Sequence, residues 1–215
     1  MKKDARKYTL GEEIANSITH GIGGLLSIAG LVVLIIFAAI YGTAWHVVGF
    51  TIFGVSLVVL YTMSTLYHSI QHEKAKHIFQ ILDHSSIFVL IAGTYTAFTL
   101  TTLRGPLGWT IFGIIWGLAA LGITLSALYI KKYKAVAALA YIGMGWIVIM
   151  AIKPLWDNLP RISFIFLLIG GLFYTVGAVF YMMKKVKFMH AVWHLFVLGG
   201  SIFHFFSAIY SLPKL

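Results

Sequence analysis

Long apolar stretches broken by short polar clusters set the pattern of this chain. Seven such stretches occur, at about residues 20–41, 45–68, 79–102, 107–130, 135–152, 161–183 and 189–211. Each is close to the ~20 residues that carry a helix across a hydrocarbon core of about 30 Å. Dyad alternation of apolar and polar positions, the mark of a membrane barrel, is absent, and an open strand at that depth leaves its backbone polar groups unpaired. The pattern therefore predicts an all-α integral membrane protein, a bundle of seven transmembrane helices. No linker, low-complexity tract or charge block divides it, so residues 1–215 are expected to form one domain. Gly113-x-x-x-Gly117, Gly143-x-Gly145, Gly170-Gly171 and Gly199-Gly200 are expected where helices approach closely. The absence of an internal repeat speaks against a transporter built from inverted repeats.

Composition agrees: 60% of residues are hydrophobic and only 10% charged, against about 25% charged in soluble domains. Charge then orients the bundle. Twelve of the 16 Lys and Arg residues fall in the N-terminal segment and in the second, fourth and sixth loops, and only Arg104, Lys153, Arg161 and Lys214 lie on the other side. That bias predicts a cytoplasmic N-terminus and, after seven crossings, an external C-terminus of a multi-pass plasma-membrane protein. The formal charge of +10 is accounted for by these loops, and no nucleic-acid partner is expected. Met1 to Glu13 is polar and the apolar stretch beyond it is long, so no cleavable signal peptide is expected. Trp45, Trp109 and Trp156 near span ends fit an interfacial aromatic belt.

Candidate chemistry begins at His190-Ala-Val-Trp-His194. Residues i and i+4 share a helix face, so two imidazoles meet at the start of the last span. At membrane depth an ionisable side chain costs several kcal/mol unless compensated, which makes such residues functional candidates. On the charge-derived topology His68 closes the second span and Asp83 opens the third, both on the cytoplasmic face with His190 and His194. This convergence makes His68 the third ligand. With no cysteine present, a metal must take His, Asp or Glu, which suits zinc, iron or manganese. Three His on a tetrahedral zinc leave one position open, the arrangement of catalytic sites. Asp83 is assigned to the metal's water, as hydrogen-bond acceptor or general base, with direct ligation as the alternative. Ser64, one turn before His68, is placed to orient an imidazole or a substrate oxygen. Glu13, Asn16 and His20 share one helix face at the mouth of the first span and are placed to support the metal site through hydrogen bonds. His72 and His77 are read as solvated, His84 as pointing about 100° away from Asp83, and His204, roughly 15 Å beyond His194, as a packed, hydrogen-bonded histidine. His46 belongs to the opposite face.

Glu13-x-x-Asn16-x-x-x-His20, Ser64-x-x-x-His68, Leu82-Asp83-His84-Ser85 and His190-x-x-x-His194, in this order, resemble the hemolysin III family, bacterial relatives of the progestin and adipoQ receptors. The likeness covers essentially the whole chain. It implies a seven-helix receptor-like fold, a zinc held by His68, His190 and His194, and an Asp83 that approaches the zinc through water.

Three functions compete on these residues. A zinc-dependent hydrolase, ceramidase-like, would cleave an amide or ester bond of a membrane lipid, with the lipid or fatty-acyl ligand entering from the bilayer. A pore-forming hemolysin would lyse membranes, although the spans carry almost no polar lining outside the cytoplasmic cluster. A sensor or receptor of membrane state would use a structural zinc to tie the second and seventh spans together.

Overall fold

The computed structural model describes residues 8–129, 134–183 and 185–213. Of the charged positions used for orientation, Lys2, Lys3, Arg6, Lys7, Lys131, Lys132, Lys184, Lys214 and the Lys134 side chain lie outside the described residues. The chain runs through α1 (Leu10–Tyr41), α2 (Ala44–Ser69), α3 (Glu73–Thr99), α4 (Pro106–Tyr129), α5 (Lys134–Trp146), a turn of 3₁₀ helix (Ile147–Ala151), α6 (Ile152–Asn158), α7 (Arg161–Met182) and α8 (Met189–Tyr210). Among the described residues, seven helical segments are long and apolar enough to cross a membrane, with α5 to α6 acting as one span over Val136–Asn158. The protein is a multi-pass membrane protein with a seven-helix architecture.

Two helices start well before the apolar stretches that announced them. α1 begins ten residues ahead of position 20, because Thr9 and Glu12 form a capping box: the Glu12 amide donates to Thr9 Oγ1 at 3.3 Å and the Thr9 amide to Glu12 Oε2 at 2.9 Å. Those two bonds satisfy amides a helix start otherwise leaves orphaned. α3 begins at Glu73 rather than 79, capped by His72, whose Nδ1 accepts from the Ala75 amide at 3.4 Å. Lys76 therefore belongs to a helix rather than a loop, and its Nζ reaches back to the Tyr67 and Ile70 carbonyls at 3.0 and 3.2 Å, at the C-terminus of α2.

The fifth span is not continuous as the apolar stretch at 135–152 suggested. Pro154 lacks an amide and fits only the first turn of a helix, so the chain closes α5 at Trp146 and restarts at Ile152. The Tyr95 hydroxyl bridges the break. It accepts from the Val148 amide at 2.6 Å and donates to the Met144 and Gly145 carbonyls at 2.9 and 2.8 Å, supplying partners that a helix interruption at membrane depth requires.

Sequential helices are neighbours, and α1 closes against α8. α2 and α3 approach closely at Gly93, where a β-carbon would lie 2.4 Å from Ser56 Oγ. The expectation for glycine holds at Gly170, Gly199 and Gly200, which face His204, Phe173 and Tyr174, and fails at Gly113, Gly117, Gly143, Gly145 and Gly171. A β-carbon on any of these five meets nothing within 4 Å among the described residues.

Candidate metal centre

His68 occupies the last turn of α2, and His190 and His194 the first turns of α8. The structure brings them together. One ring nitrogen from each lies within 4.8 Å of the other two, and the Nε2 atoms of His68 and His190 stand 3.2 Å apart. Zinc–nitrogen bonds of 2.0–2.1 Å in a tetrahedron set ligand atoms about 3.4 Å from one another, so this edge already has the separation of a shared ion. His68 and His194 are buried to 1% and 0% exposure.

Hydrogen bonds at the far side of two rings decide where the lone pairs point. His68 Nδ1 lies 2.6 Å from Glu13 Oε2; a carboxylate only accepts, so Nδ1 carries the hydrogen and Nε2 presents its lone pair to the cluster. Glu13 is held in turn by Lys76 Nζ, 2.9 Å from Oε1. His194 repeats the arrangement, with Nδ1 3.1 Å from the Asn16 carbonyl and 3.2 Å from Thr19 Oγ1. Thr19 spends its own hydrogen on the Ala15 and Asn16 carbonyls, at 2.9 Å each, and so accepts from the ring. His194 Nε2 is left as a buried lone pair without a hydrogen-bond partner among the described residues. Such an acceptor is costly unless something binds it, and outer partners that fix the tautomer are the usual support of metal-ligating imidazoles. The donor set fits a zinc ion.

Asp83 is 3% exposed and lines a long apolar cavity of about 180 Å³, as does His20. It does not join the three ligand atoms. Its Oδ2 lies 3.3 Å from His84 Nδ1, too poorly aligned for a hydrogen bond. His84 is itself buried, at 7% exposure, and packs edge-on to Tyr67 rather than facing lipid. His20 stacks on His194 with ring centroids 3.5 Å apart, and neither of its nitrogens has a hydrogen-bond partner among the described residues. Ser64 is fully buried, and its hydroxyl makes no hydrogen bond to an imidazole or to any other described group. Asn16 contributes its backbone carbonyl to His194; its Nδ2 lies 3.4 Å from His68 Nδ1, but both are donors once Nδ1 carries its hydrogen to Glu13, so that contact is no hydrogen bond. His204 is packed as expected, with Nε2 3.1 Å from the Leu167 carbonyl.

Compared with known proteins, residues 8–205 match the family described as Haemolysin-III related. The chain belongs to the hemolysin III family. It is 56% identical over 203 residues to Hemolysin-3 of Bacillus cereus, a match covering 94% of this chain and 93% of that one. It is 53% identical over 207 residues to the Hemolysin-3 homolog of Bacillus subtilis, covering 96% and 97%. A more distant relative is the human monocyte to macrophage differentiation factor, 29% identical over 209 residues, covering 94% and 84%.

The hemolysin III match spans the whole cluster, including three residues that sequence reasoning passed over. Glu12, 2% exposed, accepts from Thr9 at Oε2 and from the Phe188 amide at Oε1, 3.0 Å away. Phe188 is the N-cap of α8 and sits in the left-handed region at φ 62°, a conformation that costs a non-glycine residue about 1–2 kcal/mol. Glu12 thus holds α1 to the strained entrance of the helix bearing His190 and His194. Thr19 is the second acceptor for His194. Tyr8 packs over the cluster, 5.0 Å from the His190 ring and 5.9 Å from the His68 ring; burial pushes its phenol well above the ordinary tyrosine value, so it stays neutral. The capping box at Thr9 and Glu12 was the one signal in the sequence that could have drawn attention to this segment.

Proposed function

We propose that this hemolysin III protein binds zinc at His68, His190 and His194 and hydrolyses an amide or ester bond of a membrane lipid. The observation that carries this reading is continuity: the apolar cavity begins at His20 and Asp83, beside the histidines, and ends at Leu103, Ile111 and Leu155. From Asp83 to Phe98, α3 rises about 22 Å, so a cavity of about 180 Å³ is long and narrow. It suits one extended acyl chain. Trp146 and Leu168 line it and are also exposed on the outer surface, at 37% and 36%, which favours entry from the bilayer between α5 and α7.

A zinc held by His68, His190 and His194 would supply Lewis acidity and would lower the pKa of a water. Glu13, Asn16 and Thr19 hold the rings of His68 and His194 in the required tautomers. Asp83, in the cavity wall, takes the proton of the attacking water on a carboxylate oxygen and returns it to the leaving group. Apolar side chains keep bulk water from the scissile bond. A structural zinc joining α2 to α8 is the competing reading, favoured by the origin of the ligands on those two helices. An apolar cavity wall argues against a water-filled pore.

Elemental analysis of purified protein, followed by incubation of the zinc-loaded form with ceramide and phospholipid, tests the proposal. About one zinc per chain is expected, lost in His68→Ala and His194→Ala while helicity is kept. Asp83→Asn should retain the metal and lose roughly 10²–10⁴ in turnover. A folded wild type without metal would end the metal reading. Zinc-loaded protein that leaves both lipids intact would end the hydrolase reading, and unfolding of both His variants would favour the structural one.

A further inference from the structure

At the end of the bundle opposite the histidines, the α1–α2 and α3–α4 connections enclose a cleft lined by Thr43, Trp45, His46, Thr101, Arg104 and Trp109, with Leu100 and Gly105. Its side chains offer hydrogen-bond donors and one cation, and no carboxylate. The Arg104 guanidinium lies over the Trp45 ring, 4.3 Å from its centre, and Trp45 meets Trp109 edge to face at 5.9 Å. Stacking covers one face of the guanidinium and leaves its edge of N–H groups free to engage an oxyanion bidentately. His46 adds a donor of fixed position. Its Nδ1 accepts from the Thr43 amide at 3.2 Å and lies 2.9 Å from the Thr43 hydroxyl, so the ring hydrogen is on Nε2. His46 is 9% exposed, which keeps this geometry rigid.

No acid among the described residues answers that charge. Of the six acidic residues, Asp4 lies outside the described residues; Glu12, Glu13, Glu73 and Asp83 sit toward the histidine end, and Asp157 is paired with Lys153 at 2.6 Å. Arg161, the other arginine at this end, differs from Arg104 because its Nη1 donates to the Trp156 carbonyl at 3.1 Å while its guanidinium stacks on that ring. Arg104 makes no ion pair among the described residues. Beside the cleft, Leu107 and Trp109 are 38% and 49% exposed, giving apolar surface next to the cation at the level where tryptophans mark the membrane interface.

We propose that this cleft seats the phosphate of an anionic phospholipid from the leaflet opposite the histidine cluster. The phosphate oxygens accept from Arg104 and from His46 Nε2, and the acyl chains lie along Leu107 and Trp109. A zwitterionic lipid fits less well, because its ammonium would stand near Arg104 with no carboxylate to receive it.

Native mass spectrometry of the detergent-purified full chain, titrated with phosphatidylglycerol, phosphatidylcholine or inorganic phosphate, reads the bound fraction directly. Wild type should retain one phosphatidylglycerol more tightly than phosphatidylcholine. Arg104→Gln should weaken phosphatidylglycerol about tenfold, the scale of one charge-assisted pair. Arg104→Lys should fall between, since a lysine neither forks nor stacks in the same way, and Arg161→Gln should match wild type. Unchanged binding in Arg104→Gln, or an equal loss in Arg161→Gln, would overturn the site. Displacement of the lipid by inorganic phosphate at comparable concentration would overturn the lipid as its occupant. Arg104 is exposed, so helicity and metal content should be the same in all variants.

Discussion

The helices α1 and α3 invert the rule that holds in water. α1 contains the most apolar segment of the seven spans, and 22% of that segment is buried within the protein; α3 contains the least apolar, and 67% of it is buried. In a bilayer an apolar helix face gains nothing by exchanging lipid for protein, whereas a polar group must find partners inside. Polar residues, rather than hydrophobic ones, therefore mark the centre of this bundle. α1 obeys the same rule within its own length. Its buried positions, Glu12, Asn16, His20, Gly23, Ser27, Leu34 and Ala38, form one stripe at helical spacing that is polar at the histidine end and apolar at the other.

The contrast can be broken experimentally, most severely at the α2–α3 contact. Gly93→Leu places a β-carbon within 2.4 Å of Ser56 Oγ and 3.3 Å of the Ile52 carbonyl, and should cost about 3 kcal/mol in reversible unfolding from mixed micelles. Next in size is Glu13→Gln. It keeps the shape of the group at His68 Nδ1 and removes its charge, so zinc affinity measured by chelator competition should fall about 10- to 100-fold; an unchanged affinity would separate Glu13 from the metal. Smallest is Gly171→Ala on α7, where nothing lies within 4 Å of the new methyl. Its stability should stay within about 0.5 kcal/mol of wild type. A loss comparable to that of Gly93→Leu would mean that α7 is as tightly packed as α3.

Local spacing explains what could be read in the sequence. His190 and His194 are one turn apart, and Glu13, Asn16 and His20 share a face, so their convergence needs only helical periodicity and the placement of seven spans. The partners found at long range had no such signal. Glu12 binds a backbone amide 176 residues away, and amides have no sequence signature. Thr19 acts on His194 through an oxygen whose hydrogen is committed to its own helix, which reads in sequence as an ordinary threonine. The break in the fifth span escaped notice because hydropathy averages over the interruption, although Pro154 and the glycines before it were visible. The glycine motif on α4 shows the opposite failure: a packing pattern with open space beside it.

The bond from Glu12 to Phe188 also carries a consequence for the order of synthesis. The carboxylate and the Asn16 carbonyl emerge from the ribosome with the first span, and their partners, the Phe188 amide and His194, arrive 176 and 178 residues later. Until the seventh span inserts, Glu12 keeps its local bonds to Thr9, and the Asn16 carbonyl that from Thr19. A nascent chain that stops short of α8 therefore lacks the bonds that tie the start of the first span to the start of the last, and the two ends of the bundle's ring close only when synthesis is complete.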